Sequence, residues 1–405
     1  MNRRGFFLRS LGLLGGLLLP RWARGATGAD SVGVAPADST GAPPGDSTVA
    51  TPRDSAAAPA GPSVVLTAGG DTTLGYNLEA HFDQQLALGV PKEALWPLYF
   101  AGVRPILEAA DIALVNLECP FTERGRKLPK NFNFRARREL VRILEQGAVD
   151  VASLANNHTA DYGRPGIKDT MATLDRAGIA HFGAGMNLDQ ARRPAILERQ
   201  GMRLGFLGYY FQADPDMLEP EEVYATRRRP GVAGCYKDLD CVRGQIAEDL
   251  ERLVPRVDAV IPYFHWGKEG SYEVRDYQIA LAHQCVDMGC KAVLGAHPHR
   301  VQGIEIYRGA PIFYSLGNFV YGGIKEPKDT LTMIARLRIQ AAGVEAEAIP
   351  VQFTRWPEAP FQPFVLRGEA QEEAFRRIAS YSSGFAQTLP QLRPYLAAQP
   401  QAVEP

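Results

Sequence analysis

No cysteine stands before position 119 in this chain of 405 residues. A lipid-modified amino terminus requires one near the start, so that chemistry is not expected. A surplus of charge is also missing, since 44 Lys and Arg face 45 Asp and Glu for a net charge of -1. With no global field, the chain cannot gather nucleic acid or an acidic membrane from a distance, and any anionic ligand is held by a local site. The apolar stretch at residues 11–19 falls short of the roughly 20 residues needed to span a bilayer, so no membrane anchor is expected after signal removal. Residues 27–62 lack large apolar side chains and cannot offset ordering entropy by burial; they read as a disordered Pro/Ala/Ser/Thr-rich spacer. Histidine is scarce, with seven in all, which makes the place of each one informative.

What is there begins with Arg3-Arg4-Gly5-Phe6-Phe7-Leu8-Arg9, followed by the apolar stretch and the small residues Ala23-Arg24-Gly25-Ala26. This pattern resembles a twin-arginine export signal over residues 1–26. The expected location of the mature chain is therefore the periplasm or the exterior. In such a compartment five cysteines leave at least one unpaired within the chain. Cys235 and Cys241 can close a short loop, whereas Cys119, Cys285 and Cys290 read as small buried hydrophobes.

From residue 63 onward, apolar β-rich runs alternate with longer amphipathic segments, the mark of βαβ units and an α/β fold. Strands are expected at 64–68, 112–117, 149–154, 203–210, 259–264 and 292–294. Helices are expected at 93–110, 137–146, 166–177, 239–253 and 274–288. The runs at 303–307, 311–314, 331–339 and 344–353 follow one another without helices and predict a second, largely antiparallel sheet edge. Residues 357–405 predict a peripheral tail with a short helix over 369–378.

Five of the apolar runs end in residues able to hold a metal ion: Gly69-Gly70-Asp71, Asn116-Leu117-Glu118, Asn156-Asn157-His158, His265-Trp266-Gly267 and His297-Pro298-His299. Ligands of α/β sheets sit beyond the carboxyl ends of the strands, so the five ends are expected to converge on one site. Two histidine-rich segments, two carboxylates and an amide suit a mixed nitrogen and oxygen site for Mn, Fe or Zn, not a thiolate-bound structural zinc. His81, His181 and His283 lie apart from such partners and read as structural.

The ordered motifs Gly70-Asp71-Thr72-Thr73-Leu74-Gly75, Asn116-Leu117-Glu118, Ala155-Asn156-Asn157-His158-Thr159-Ala160-Asp161-Tyr162-Gly163, His265-Trp266-Gly267-Lys268-Glu269, Gly295-Ala296-His297-Pro298-His299 and Tyr314-Ser315-Leu316-Gly317-Asn318-Phe319 resemble those of the CapA family of poly-γ-glutamate capsule proteins. The resemblance spans residues 63–356, about three-quarters of the chain, and extends to the calcineurin-like metallophosphoesterases. It implies a four-layer α-β-β-α sandwich of two mixed sheets with one or two divalent transition-metal ions. By motif, Asp71 and His299 would serve a first ion, Glu118 would bridge, and Asn157, His265 and His297 would serve a second. His158 would be the catalytic acid or oxyanion stabiliser. Thr73 stands where the wider superfamily has a histidine, so the first ion lacks one imidazole.

Two functions follow from the resemblance. One is an exported metal-dependent hydrolase acting on a phosphoester or on an amide of an envelope polymer such as poly-γ-glutamate, alongside capsule machinery. The other is a non-catalytic protein that handles, exports or anchors that polymer. The basic clusters Arg135-Ala136-Arg137-Arg138 and Arg227-Arg228-Arg229 would suit an anionic polymer, although such clusters are usually solvated faces.

Overall fold

The computed structural model of the protein describes residues 61–213, 219–355 and 357–396. The expected export signal and the spacer up to residue 60 lie outside the described residues. Apolar runs buried on both faces form the parallel strands β1 (Ser63–Thr73), β2 (Ile112–Leu117) and β3 (Val151–Ser153), and the partly buried edge strand β4 (Ala180–Phe182) continues them. β5 (Ala184–Gly185) stands apart from them. A second sheet starts with the antiparallel hairpin of β6 (Ala195–Arg199) and β7 (Met202–Tyr210). After β8 (Gly231–Val232), which pairs with β5, this sheet continues with β9 (Ala259–His265) and β10 (Val293–Ala296), parallel to β7. β11 (Ile304–Tyr307) and β12 (Ala310–Phe313) complete it in the order β11-β12-β10-β9-β7-β6.

The chain then returns to the first sheet with β13 (Asn318–Tyr321), β14 (Leu331–Gln340), β15 (Gly343–Gln352) and β16 (Phe364–Val365). That sheet has the order β16-β15-β14-β1-β2-β3-β4, with β13 also beside β1. The four late strands expected to share one antiparallel edge are therefore divided, β11 and β12 in one sheet, β14 and β15 in the other. Turn residues mark hairpins but do not say which sheet a hairpin joins. The length of β1 decides it here: its residues 63–68 pair with β14, and Asp71 and Thr73 pair with β13.

Alternating side chains sort the core. Leu66 and Ala68 of β1, Ile112 and Leu114 of β2, Ile261 and Tyr263 of β9 and Leu294 and Ala296 of β10 share one apolar cluster between the sheets. Their neighbours Ala113, Val115 and Leu117 pack outward against Leu78 and Phe82 of the helix Asn77–Ala87 and Leu174 of the helix Gly163–Ala177. Val260, Phe264 and Val293 likewise meet Val242, Ile246 and Leu250 of the helix Leu239–Leu253 and Leu281 of the helix Asp276–Asp287. The outcome is a mixed α/β fold of two main sheets with helices on their outer faces.

Two expectations are corrected. The helix expected over 93–110 is broken into Lys92–Leu95, a 3-10 turn at Leu98–Phe100 and Arg104–Glu108. Pro97 and Pro105 lack the amide hydrogen that a continuous helix needs. The described part of the tail, residues 357–396, is not peripheral either. Its helix Glu369–Ser382 places Ala374, Ile378 and Ala379 in the cluster between the sheets, and Leu389 and Leu392 follow them there. Each fully buried side chain of the size of Ile378 stabilises by about 1.5–3 kcal/mol.

Parallel pairing aligns the carboxyl ends. Asp71 pairs with Asn116, Asn116 with Ser153, and Ala296 with His265. Gly70 precedes Asp71 because only a residue without Cβ fits there; a Cβ would lie 1.8 Å from the Gly317 carbonyl oxygen. That same carbonyl accepts the Asp71 amide hydrogen at 2.9 Å.

Candidate metal centre

Asp71, Glu118, Asn157, His265, His297 and His299 all meet at this edge, and two donor groups can be distinguished among them. Glu118, His265 and His297 place one ligating atom each within 4.8 Å of one another, and Asp71, Glu118 and His299 do the same. Glu118 is common to both. Around the first group, His265 Nε2 lies 2.9 Å from Asn157 Oδ1, 3.0 Å from His297 Nδ1 and 3.3 Å from Glu118 Oε1. In the second, His299 Nδ1 is 3.2 Å from Asp71 Oδ2 and 2.8 Å from Asn318 Oδ1.

Glu118 is fully buried, yet neither of its carboxylate oxygens has a hydrogen-bond partner. The nearby His265 nitrogen is within ion-pair range but out of hydrogen-bond geometry. A buried carboxylate without donors is costly, and a cation bound by the surrounding nitrogen and oxygen atoms would relieve that cost. The donor set thus fits a divalent metal ion of the borderline class, and excludes a thiolate site.

The electrostatics divide along the same line. Burial holds His265 and His297 well below the ordinary imidazole range, and the neighbouring His299 adds to the effect on both. Both are neutral, the form that can donate a lone pair to a metal. For His299 burial also opposes charging, but Glu118 and Asp71 outweigh it and push the imidazole up to about 10. Burial and the Asp71 charge together raise Glu118 well above the usual carboxylate range.

His158 stands beside these groups. Its Nδ1 lies 2.7 Å from Asp161 Oδ2, and its ring packs against Phe134 with centroids 4.3 Å apart. Burial and the Lys130 charge lower its pKa despite the aspartate. His158 and His299 line an open cleft of about 420 Å³ together with Phe134, Glu269, Arg300 and Tyr321. A second cavity, of about 270 Å³, is lined by Arg192, Asp249 and Arg252 and contains none of the metal-ligating candidates.

Local backbone prepares the site. His297 and His299 have φ of 100° and 53°, a region that non-glycine residues seldom adopt and that clusters at functional sites. With Pro298 between them, the two imidazoles face different donor groups. The buried hydroxyl of Thr73 is engaged with main chain, donating to the Glu118 carbonyl oxygen at 3.1 Å. Ser315 shapes a turn by donating to the Arg300 carbonyl oxygen at 2.7 Å.

Several contributors were not singled out in the sequence. Asn116 donates to Asp71 Oδ1 at 2.8 Å, and Asn156 donates to Asn116 Oδ1 at 3.0 Å while its own oxygen accepts the amide hydrogens of His158 and Thr159. Asn116, Asn156 and Asp161 belong to the quoted motifs, so their signal was present. Lys130 and Glu219 lie in loops far from Asn157 in sequence and carried none. Among the three remaining histidines, two do have a carboxylate partner: His283 meets Glu305 at 3.0 Å and His181 meets Asp175 at 3.1 Å.

Residues 65–322, more than half of the chain, match the family described as bacterial capsule synthesis protein PGA_cap. The chain belongs to this family. It is 30% identical over 266 residues to the capsule biosynthesis protein CapA of Bacillus anthracis, covering 64% of this chain and 62% of that one. Identity to the PGA biosynthesis protein CapA of Bacillus subtilis (strain 168) is 27% over 328 residues, 78% of each chain. A probable polyglutamine synthesis accessory protein of Mycobacterium tuberculosis is 34% identical over 244 residues, 58% of this chain and 62% of its own. The match to the first and third of these relatives thus spans less than two thirds of their length. The family match ends just after β13 and takes in every candidate ligand, while β14, β15 and the tail lie beyond it.

Proposed function

We propose that this PGA_cap family member is an exported metal-dependent hydrolase of capsule or poly-glutamate biosynthesis. Glu118 carries the reading: a fully buried carboxylate without hydrogen-bond donors, shared by two groups of metal-ligating atoms. Asn157, His265 and His297 with Glu118 would hold one ion, and Asp71, His299 and Glu118 a second. Bound there, divalent ions supply Lewis acidity and an activated water at neutral pH.

The chain's own residues do the rest. Asp161 accepts from Nδ1 of His158, which leaves the far nitrogen of the neutral ring as an acceptor that can take up a proton and pass it to a departing group. Phe134 fixes the ring and keeps water from one side of it. Arg300, held by a hydrogen bond from Nη1 to the His299 carbonyl oxygen at 2.7 Å, sets a positive charge at the cleft for an anionic substrate. A phosphoester or an amide of a polyanionic envelope polymer fits these requirements.

This poised imidazole favours turnover over an ion that merely braces the fold. The basic clusters offer the polymer less than their sequence implied, because Arg137 pairs with Glu79 and Asp83, Arg138 with Glu123 and Arg229 with Glu221. Export is supported by the twin-arginine pattern and by the disulfide between Cys235 and Cys241, a bond that oxidising compartments permit. The test is elemental analysis of protein grown with Mn, Fe and Zn, joined to a hydrolysis screen on phosphoesters and poly-γ-glutamate. Metal-dependent product release supports the reading. Metal uptake with polymer binding and no product would favour a handling or anchoring role, and metal below about 0.1 equivalent would overturn the centre itself.

A further inference from the structure

We infer that Glu219 is a positioning residue: it fixes the amide of Asn157 so that the oxygen, not the nitrogen, faces His265 and the metal-ligating cluster. The inference rests on the metal-centre reading above. Asn157 is almost fully buried, and its Nδ2 donates to Glu219 Oε1 at 3.2 Å. A carboxylate has no hydrogen to give, so only the NH₂ end of the amide can point at it. The opposite end, Oδ1, then lies 2.9 Å from His265 Nε2. An amide turned the other way would aim two hydrogens into the space where ligand lone pairs converge.

Glu219 is itself held in place. Lys130 Nζ lies 3.3 Å from Glu219 Oε2, donates to the Asn157 carbonyl oxygen at 2.7 Å and stands 2.7 Å from Asp161 Oδ1. The lysine side chain is only 3% exposed, so its charge is committed to these three oxygens and not to solvent. One ammonium thereby ties the main chain of Asn157, the aspartate behind His158 and the carboxylate that orients the amide. Partners that orient metal ligands from behind commonly set affinity by about 10–100-fold.

The test is Co²⁺ titration of the full chain, followed by visible absorption and chelator competition, for the unchanged protein, Glu219→Ala and Glu219→Gln at matched circular dichroism. Glu219→Ala is expected to weaken Co²⁺ binding by about 10–100-fold and to alter the absorption bands. Glu219→Gln should stay close to the unchanged protein, because its amide oxygen still accepts from Asn157 Nδ2. Repeating the pair in an Asn157→Asp background removes the need for orientation, since either carboxylate oxygen can ligate. There the loss caused by Glu219→Ala should vanish or reverse as a like charge is removed. Equal affinity and spectra for the unchanged protein and Glu219→Ala would overturn the inference, as would an undiminished loss in the Asn157→Asp background, which marks general loosening of the loop. Failure of the unchanged protein to take up Co²⁺ would instead bring down the metal-centre reading, and this inference with it.

Discussion

The two donor groups share Glu118 and differ in almost everything else. The closed one, with His265 and His297, is fully buried and holds neutral imidazoles. The open one places His299 at the cleft, 17% exposed, against Asp71 and Glu118, which keep it charged. Burial thus prepares the imidazoles of one group for a metal in advance, while the imidazole of the other must first release a proton. The difference shows that one residue type takes opposite states a few ångströms apart, according to whether desolvation or neighbouring carboxylates win.

The largest expected effect is that of Glu118→Ala, which removes the shared ligand and should reduce metal content at both groups by orders of magnitude. One full equivalent retained by elemental analysis would break the comparison, because the groups would then be independent. Next come the single imidazoles. His297→Ala should empty the closed group and His299→Ala the open one, each costing one equivalent of metal and most of any hydrolysis. Loss of both equivalents from either variant would mean that the two groups bind as one.

A smaller, sharper test is pH. In the metal-free protein the folded pKa of His299, about 10, exceeds the ordinary unfolded value of about 6.5. Its stabilisation is therefore complete below about pH 6.5 and is lost as pH rises toward 10. His265 and His297 have the opposite sign: their folded values are depressed, so stability falls as pH drops below about 6.5 and the unfolded chain takes up protons. Thermal unfolding across pH 5 to 10 should show both slopes, and His299→Ala should flatten chiefly the alkaline one, easing the acid one only by the share His299 adds to it. Metal affinity of the open group should rise with pH over the same alkaline interval. An alkaline slope unchanged in His299→Ala would remove the charge difference between the groups.

The smallest effect belongs to His283→Ala. That histidine meets Glu305 and stacks on Tyr307 with ring centroids 3.6 Å apart, away from both groups. It should cost at most about 1–2 kcal/mol of stability and no metal, as unfolding and elemental analysis would report.

Much of this was legible in one dimension. Strand-terminal Asp71, Glu118, Asn157, His265, His297 and His299 were identified because an apolar run followed by a ligand-type residue marks a parallel strand and its carboxyl end. Amphipathic spacing likewise located the helix Leu239–Leu253, whose amino end is capped by the Asp238 side chain accepting from the Cys241 amide at 2.9 Å. Lys130 and Glu219 were not legible. Neither ends a strand, and each reaches Asn157 across loops, 27 and 62 residues away in sequence.

By itself the sequence determined the alternation of strands and helices, the family, and which residue types stand at the strand ends, because those depend on local periodicity and adjacency. Only the tertiary structure decided that β11 and β12 leave β14 and β15 for a different sheet, that the tail helix enters the core, and that one histidine is charged while its neighbours are neutral. Edge pairing depends on which partner offers free backbone hydrogen bonds, and protonation depends on burial and on charges brought near by folding. Both are properties of proximity in space.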